Sequence, residues 1–224
     1  MNITKTQDLY FIKDVFGSGI TAGFSGPAFK GAIPADVRKI TFDLKGAREA
    51  AYLKQTHSSN VCAVDRGGYY TGDGLLTGAA GLALFVKTAD CLPLLLCSPG
   101  QSAIAAVHMG WRSAVSGILD RLPKDLAGWT AFAGAGMRQC CYQVGEEFLE
   151  HKAVRPAVAK KEGKFYFDPV AHARGILAAR GLGLRDFFDC GMCSVCYPEK
   201  FFSWRREKSQ ERTLTFIVKT DSRW

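Results

Sequence analysis

A chain mixing α and β structure, with more strands than helices, is what this sequence predicts, and three observations carry the prediction. Short apolar runs recur at Leu82 to Val86, Leu92 to Cys97 and Ala103 to Val107; each is bounded by turn-type residues and reads as a buried strand. Helical spacing is confined to a few segments, among them Ala114, Val115, Ile118, Leu119 and Leu122. With 224 residues, 47% of them hydrophobic, the chain can bury a full core as a single domain spanning 1–224.

The elements follow in order. Residues 1 to 31 mix aromatics with Gly-rich bends, which suits strand-turn-strand. The run VRKITFDL, Val37 to Leu44, has helical character and ends before Gly46. Tyr52-Leu53 and Val61 to Val64 read as strand around a polar corner, Gln55-Thr56-His57-Ser58-Ser59-Asn60. That corner is either a solvated turn or part of a site. Asp73-Gly74 is a turn signal before a short strand, Leu75 to Thr77; its carboxylate can form an Asx turn or orient an imidazole. A helix is expected from Ser113, with Arg112 at its first turn. A cation there opposes the macrodipole, so the position suits an anion cradle or a surface Arg paired to Asp120. Trp129 to Ala133 should be a strand, and CCYQVGEEFLEHKA an amphipathic helix near Gly145. The neighbours Cys140 and Cys141 should point differently and serve packing. Phe165 to Phe167 reads as strand, and Asp168-Pro169 starts a helix, Val170 to Arg180, carrying His172 on its face. Leu214 to Val218 is a closing strand.

Two polar residues interrupt the apolar runs. Cys91 stands at the mouth of one and His108 closes another, just before Gly110-Trp111-Arg112. A thiol and an imidazole at neighbouring strand ends can be metal ligands, a nucleophile with its base, or packed core residues. Cys190, Cys193 and Cys196 write Cys-x-x-Cys twice in overlap, a spacing compatible with zinc or redox work.

Composition narrows the function classes. No apolar run is long enough to span a bilayer, and MNITKTQDLYFIKDVF has no signal-peptide pattern, so a cytoplasmic location is expected. Eight Cys in such a chain argue for free thiols over a disulfide framework. The net charge of +8 is scattered and not clustered, which favours an anionic small molecule over nucleic acid as partner.

The segments QTHSSNV around His57, DGLLT around Asp73, KTADCLPLLL around Cys91, AAVHMGWRSAVSGIL around His108, GAGMRQCCYQVGEEF around Cys141 and CSVCYPEKFFSWRRE around Ser203 resemble, in order and spacing, the YfiH/YlmD family. The family is also called the laccase-domain or polyphenol oxidase family and the peptidoglycan editing factor family. The resemblance runs from about Ala51 to the C-terminus. It implies an α+β single domain with mixed β-sheets layered between outer helices, and one zinc ion held by His57, Cys91 and His108. It also implies activity on purine nucleosides: adenosine deamination, and phosphorolysis of adenosine, inosine, guanosine or methylthioadenosine, with phosphate as co-substrate. Ala135 stands where the family often has Pro. The family's N-terminal Asn-Arg pair falls on Asp36-Val37 or Val37-Arg38, so Arg38 is the candidate for its pocket arginine.

On that resemblance, three ligands and an open position make the pattern of a catalytic zinc. Asp90 or Asp73 would move a proton or orient His57 or His108; Arg112 and Arg205 would hold phosphate; Ser203, Gln55 and Thr88 would hydrogen-bond base or sugar. A Cys-His hydrolase of peptidoglycan precursors, with Cys91 as nucleophile and His108 as base, is the alternative, and a zinc-binding module without catalysis is another. A multicopper oxidase is disfavoured because the chain has four His in all, although copper could displace zinc in vitro.

Overall fold

The computed structural model describes residues 1–220. Two large sheets lie face to face, and helices cover their outer sides. The seven-stranded sheet runs from edge to edge through Asn2–Thr6, Leu9–Lys13, Ile20–Ser25, Thr213–Lys219, Leu82–Thr88, Glu49–Lys54 and Gly68–Thr71. The six-stranded sheet runs through Phe187–Asp189, Thr130–Ala133, Leu92–Cys97, Ile104–Met109, Gly74–Thr77 and Val61–Ala63. Both are mixed, with parallel pairs such as Glu49–Lys54 with Leu82–Thr88 among antiparallel ones. A small sheet of Gln143–Val144, Lys164–Phe167 and Val158–Lys161 stands beside them.

Strand alternation explains the layering. Leu95, Cys97, Ile104, Ala106 and Phe132 face Leu53, Leu82, Leu84, Val86 and Ile217 across the gap between the large sheets. The intervening Leu92, Leu94, Leu96, Ala105 and Val107 face outward onto Ile118, Leu119, Ala173 and Leu177. On the far side, Ala83, Phe85, Phe216 and Val218 meet Val37 and Ile40 of the helix Ala35–Asp43 and Leu44 just after it. Strands covered on both faces read as continuous apolar runs, which is why the central ones were visible in sequence.

Two helix expectations are corrected. The helix from Ser113 is Trp111–Val115, broken at Gly117, which sits at φ 72°, and followed by a 3-10 turn, Ile118–Arg121. The buried residues nonetheless keep one face, because the tighter turn carries Ile118 and Leu119 to the same core. The segment near Gly145 is no amphipathic helix. Gln143–Val144 pairs with Phe165 and Tyr166 as strand, and Glu146–Glu150 forms a 3-10 turn that buries only Phe148. By contrast, Pro169–Ala179 begins where its signals place it, the Asp168 carboxylate accepting from the Val170 and Ala171 N–H groups.

Three times the chain leaves the seven-stranded sheet and enters the six-stranded one: between Lys54 and Val61, Thr71 and Gly74, and Thr88 and Leu92. These crossings meet at one end of the sandwich, where Ile104–Met109 also ends.

Replacing Leu84, fully buried between the sheets, by Ala should cost about 2–5 kcal/mol in urea unfolding. Phe42, 92% exposed, should tolerate the same change within about 0.5 kcal/mol.

Candidate functional site

The three crossings carry the three candidate ligands or their support. His57 stands in the first, Asp73 in the second and Cys91 in the third; His108 lies near the end of its strand, opposite Pro93. Asp73 is fully buried and gathers them. Its carboxylate accepts from the Thr56 N–H and hydroxyl at 3.2 and 3.3 Å, the His57 N–H at 3.0 Å, and the Ser58 N–H and hydroxyl at 2.6 and 2.8 Å. The His108 Nδ1–H donates to the same carboxylate at 2.8 Å. His57 sits at φ 58°, a conformation an L residue keeps only when its surroundings hold it; the three successive N–H bonds to Asp73 supply that hold.

With Nδ1 of His108 committed to Asp73, its Nε2 is the free donor. One donor atom each from His57, Cys91 and His108 lie mutually within 4.8 Å. Cys91 Sγ is 3.8 Å from His57 Nε2, and the two imidazoles stand edge to face with centroids 4.9 Å apart. Zinc–nitrogen and zinc–sulfur bonds of about 2.0–2.3 Å put tetrahedral ligand atoms on the order of 3.5 Å apart, so the donor set fits such an ion. Gly110 leaves room for it: a Cβ there would lie 2.8 Å from His57 Cδ2 and 3.1 Å from Cys91 Sγ.

The electrostatics agree. Burial raises the Asp73 carboxyl, but the bonds from His108 and Ser58 outweigh it and hold the group well below the usual range. Burial likewise opposes ionisation of Cys91, yet His108 and His57 bring the thiol down to about 6. His108, against its own burial, is raised to about 9 by the Cys91 thiolate and Asp73. Both shifts run toward a thiolate beside an imidazolium, and a metal cation would satisfy the same negative charge.

The donors lie on one side of a cleft of about 870 Å³. Trp111, Tyr142, Phe148 and Trp204 supply aromatic surface, and Lys87, Arg112, Arg205 and Arg212 supply positive charge. Arg112 lies over the Trp111 ring at 4.5 Å, and the Arg205 Nη1 donates to the Gln143 carbonyl at 3.2 Å. The Lys87 ammonium is pulled down by burial and by the charge of Arg212. Lys87 and Arg112 make no ion pair among the described residues.

Several residues expected at the site stand elsewhere or are already occupied. Arg112 is in the cleft, but its helix has five residues, too short for the anion cradle read into it. Gln55 also lines the cleft, with its amide bonded in both directions to the Lys87 backbone at 2.8 Å. Asp90 borders the cleft at φ 94°, its two carboxylate oxygens taken by the Ser194 hydroxyl at 2.7 Å and the Arg205 N–H at 2.6 Å. It thereby braces the turn before Cys91, and the enclosed Asp73 is placed to orient His57 and His108. Thr88 is buried in its strand opposite Thr213. Ser203 is buried too, its hydroxyl capping Trp204–Glu207 by accepting from the Arg206 N–H. Arg38 is exposed on the helix Ala35–Asp43, outside the cleft lining. Cys140 and Cys141 do not point apart: their sulfurs are 3.7 Å from one another.

Sequence reasoning missed Lys87, Tyr142, Phe148 and Arg212, which stand in the cleft wall. Tyr142 sits within CCYQVG and Trp111 within HMGW, so an aromatic beside a candidate ligand was the available signal. Arg212 offered none, as one charge before a terminal strand.

Comparisons with known proteins place these features in a family. The family described as multi-copper polyphenol oxidoreductase laccase matches residues 31–220. A purine nucleoside phosphorylase of Aquifex aeolicus is 35% identical over 152 residues, 66% of this chain and 70% of that protein. Purine nucleoside phosphorylase YfiH of Escherichia coli K12 is 29% identical over 180 residues, 74% of this chain and 72% of the relative. The crystal structure of YlmD from Geobacillus stearothermophilus superposes with a TM-score of 0.82 at 22% identity, covering 97% of this chain and 98% of that one.

Asp73→Asn should weaken the affinity of the His57, Cys91 and His108 donors for an added divalent metal roughly 10- to 100-fold in competition with a chromophoric chelator. In the metal-free protein the stability lost with this substitution should be largest near pH 5. Because the folded-state pKa of Asp73 is depressed, the difference should shrink as pH falls below about 4, where the unfolded carboxyl protonates.

Proposed function

Because the chain belongs to the YfiH/YlmD laccase-domain family, we propose that it is a zinc-dependent purine nucleoside enzyme, acting by phosphorolysis of adenosine, inosine or methylthioadenosine and by deamination of adenosine. One observation carries the reading: two imidazoles and a thiol converge, with no fourth His, Cys or carboxylate grouped with them among the described residues, beside a cleft of aromatic faces and unpaired cations. Relatives named purine nucleoside phosphorylase support the substrate class.

His57, Cys91 and His108 would hold the zinc ion, which would supply Lewis-acid activation of water at neutral pH. Asp73 fixes the His108 tautomer and the His57 backbone, so both imidazoles are held where they would bind an ion. Trp111, Tyr142, Phe148 and Trp204 give the cleft an aromatic lining that suits a purine, and a base seated against it would displace water. Lys87 and Arg112 lack anionic partners among the described residues and Arg205 stands with them, which suits a phosphate held beside a ribose. Deamination needs no phosphate, so these cations separate the two reactions.

Copper oxidase chemistry fits this chain poorly, despite the family's description. His151 packs on Trp111 and Phe148, and His172 is buried against Phe167, leaving two imidazoles for the centre.

A second reading rests on the thiolate and imidazolium of Cys91 and His108, which with Asp73 behind His108 resemble a nucleophile, its base and an orienting carboxylate. Acting on a peptidoglycan precursor, such a hydrolase would lose activity on alkylation and keep it on chelation.

Incubation of zinc-replete and chelated protein with adenosine, with and without phosphate, separates the readings. Inosine should form with zinc alone, and adenine only when phosphate is added. Absence of inosine, adenine and hypoxanthine throughout would overturn the nucleoside assignment. Arg112→Ala should raise the KM for phosphate roughly 10- to 100-fold, the effect of a lost bond to a charged group of about 1.5–3 kcal/mol, and leave deamination within about threefold.

A further inference from the structure

A second group of metal-ligating side chains lies outside the donors at the cleft. The chain turns tightly at 139–141, with the Cys141 and Tyr142 N–H groups both donating to the Arg138 carbonyl at 2.9 Å. This turn brings the adjacent thiols of Cys140 and Cys141 to one side. Opposite them, Cys193 and Cys196 begin and end a Cys-x-x-Cys turn in which the Cys196 N–H donates to the Cys193 carbonyl at 3.1 Å. A parallel bridge between Gly136 and Cys193, and a bond from the Ser194 N–H to the Gly136 carbonyl at 3.1 Å, hold the two turns together.

The sulfurs of Cys140, Cys141, Cys193 and Cys196 all lie within 4.8 Å of one another. Cys141 is 3.4 Å from Cys196, Cys140 is 3.9 Å from Cys196, and Cys140 is 3.7 Å from Cys141. Zinc–sulfur bonds of about 2.3 Å set the edge of a tetrahedron of thiolates at about 3.8 Å. A disulfide needs sulfurs at about 2.05 Å, and all eight cysteines are free. Cys193 is buried, and the Arg138 N–H donates to its sulfur at 3.4 Å, the way a backbone steadies a metal thiolate. The remaining cysteine of the overlapping pair, Cys190, takes the Arg138 guanidinium and the Met192 N–H instead and stays out of the group.

We propose that Cys140, Cys141, Cys193 and Cys196 bind one zinc ion through four thiolates, a structural site distinct from the cleft. Four soft sulfur donors select zinc over hard cations, and with four ligands from the chain the ion has no open position for reactant. Binding releases the thiol protons to solvent and requires no oxidant or reductant. The ion joins the 138–142 turn, which leads into Tyr142 and Gln143 of the cleft wall, to the 193–197 turn. Arg206 also binds the second turn, its Nη1 donating to the Ser194 carbonyl at 2.7 Å, next to Arg205 of the cleft. The site thus clamps one wall of the cleft, whatever reaction the cleft performs.

Full-length protein grown with zinc and purified without chelator should contain two zinc ions per chain by elemental analysis. The Cys141→Ser/Cys196→Ser double variant should keep one, as should His57→Ala, with the remaining ion in different places. Cobalt(II) added to the metal-free chain should give the absorption of a tetrahedral all-thiolate site in the wild type and in His57→Ala, and not in the double variant. Residue-resolved alkylation of the wild type needs no variant to fold. Cys140 and Cys196, both exposed, should resist iodoacetamide with zinc bound and react once zinc is stripped. Equal alkylation of these two with and without zinc, a metal content unchanged in the double variant, or a Cys141–Cys196 disulfide in freshly isolated protein would each overturn the proposal.

Discussion

Six hydrogen bonds converge on the buried carboxylate of Asp73, and the end of the sandwich that carries the site depends on them. A carboxylate moved out of water is costly unless its oxygens are satisfied. Here five donors from the Thr56–Ser58 loop and one from His108 satisfy it, so the loop and the imidazole cannot drift apart without stranding a buried charge. The His108 N–H donating to the Asp73 carbonyl at 2.7 Å ties the backbone of the same two residues. The convergence of His57 and His108 is thus a result of one charge seeking partners.

The same logic recurs with Asp90, the residue before Cys91. Its carboxylate joins the turn before Cys91 to Ser194 and to the start of Trp204–Glu207, and its carbonyl accepts from the Met137 N–H at 2.7 Å. Strands are held by continuous ladders, but the crossings have only isolated backbone bonds, such as the Asp73 N–H to the Asn60 carbonyl at 2.9 Å. Two buried carboxylates replace the missing ladder where the chain passes between sheets, and each holds a residue with positive φ nearby. Around these fixed points the cleft keeps an excess of positive charge, since Lys87, Arg112, Arg205 and Arg212 line it against Glu147 and an Asp90 whose oxygens are already hydrogen-bonded.

Most of the layered fold was legible because its central strands are buried on both faces, and continuous apolar runs such as Leu92 to Cys97 have few other uses. Cys91 and His108 stood out for the same reason: each is a polar residue where burial expects an apolar one. His57 and Asp73 could be singled out as chemically capable, but the contact between their crossings depends on strands far apart in sequence. What failed did so locally. The apolar period after Ser113 could not show that Gly117 would take a left-handed turn, and the one near Gly145 could not reveal a pairing with Phe165. The committed side chains of Gln55 and Ser203 were unreadable in principle, because their type suits substrate contact and backbone support equally. Adjacent side chains such as those of Cys140 and Cys141 usually point differently; the tight turn at 139–141 brings their sulfurs to 3.7 Å instead.

The central claim is that His57, Cys91 and His108 bind one ion and leave it a face for reactant. Anomalous diffraction from zinc-loaded crystals, collected across the zinc absorption edge, tests it most directly. The account predicts a peak about 2.0–2.3 Å from one nitrogen of each imidazole and from the Cys91 sulfur, with no further protein atom in the fourth position. A cleft with no such peak at full zinc loading, or a fourth side chain closing the coordination, would contradict it.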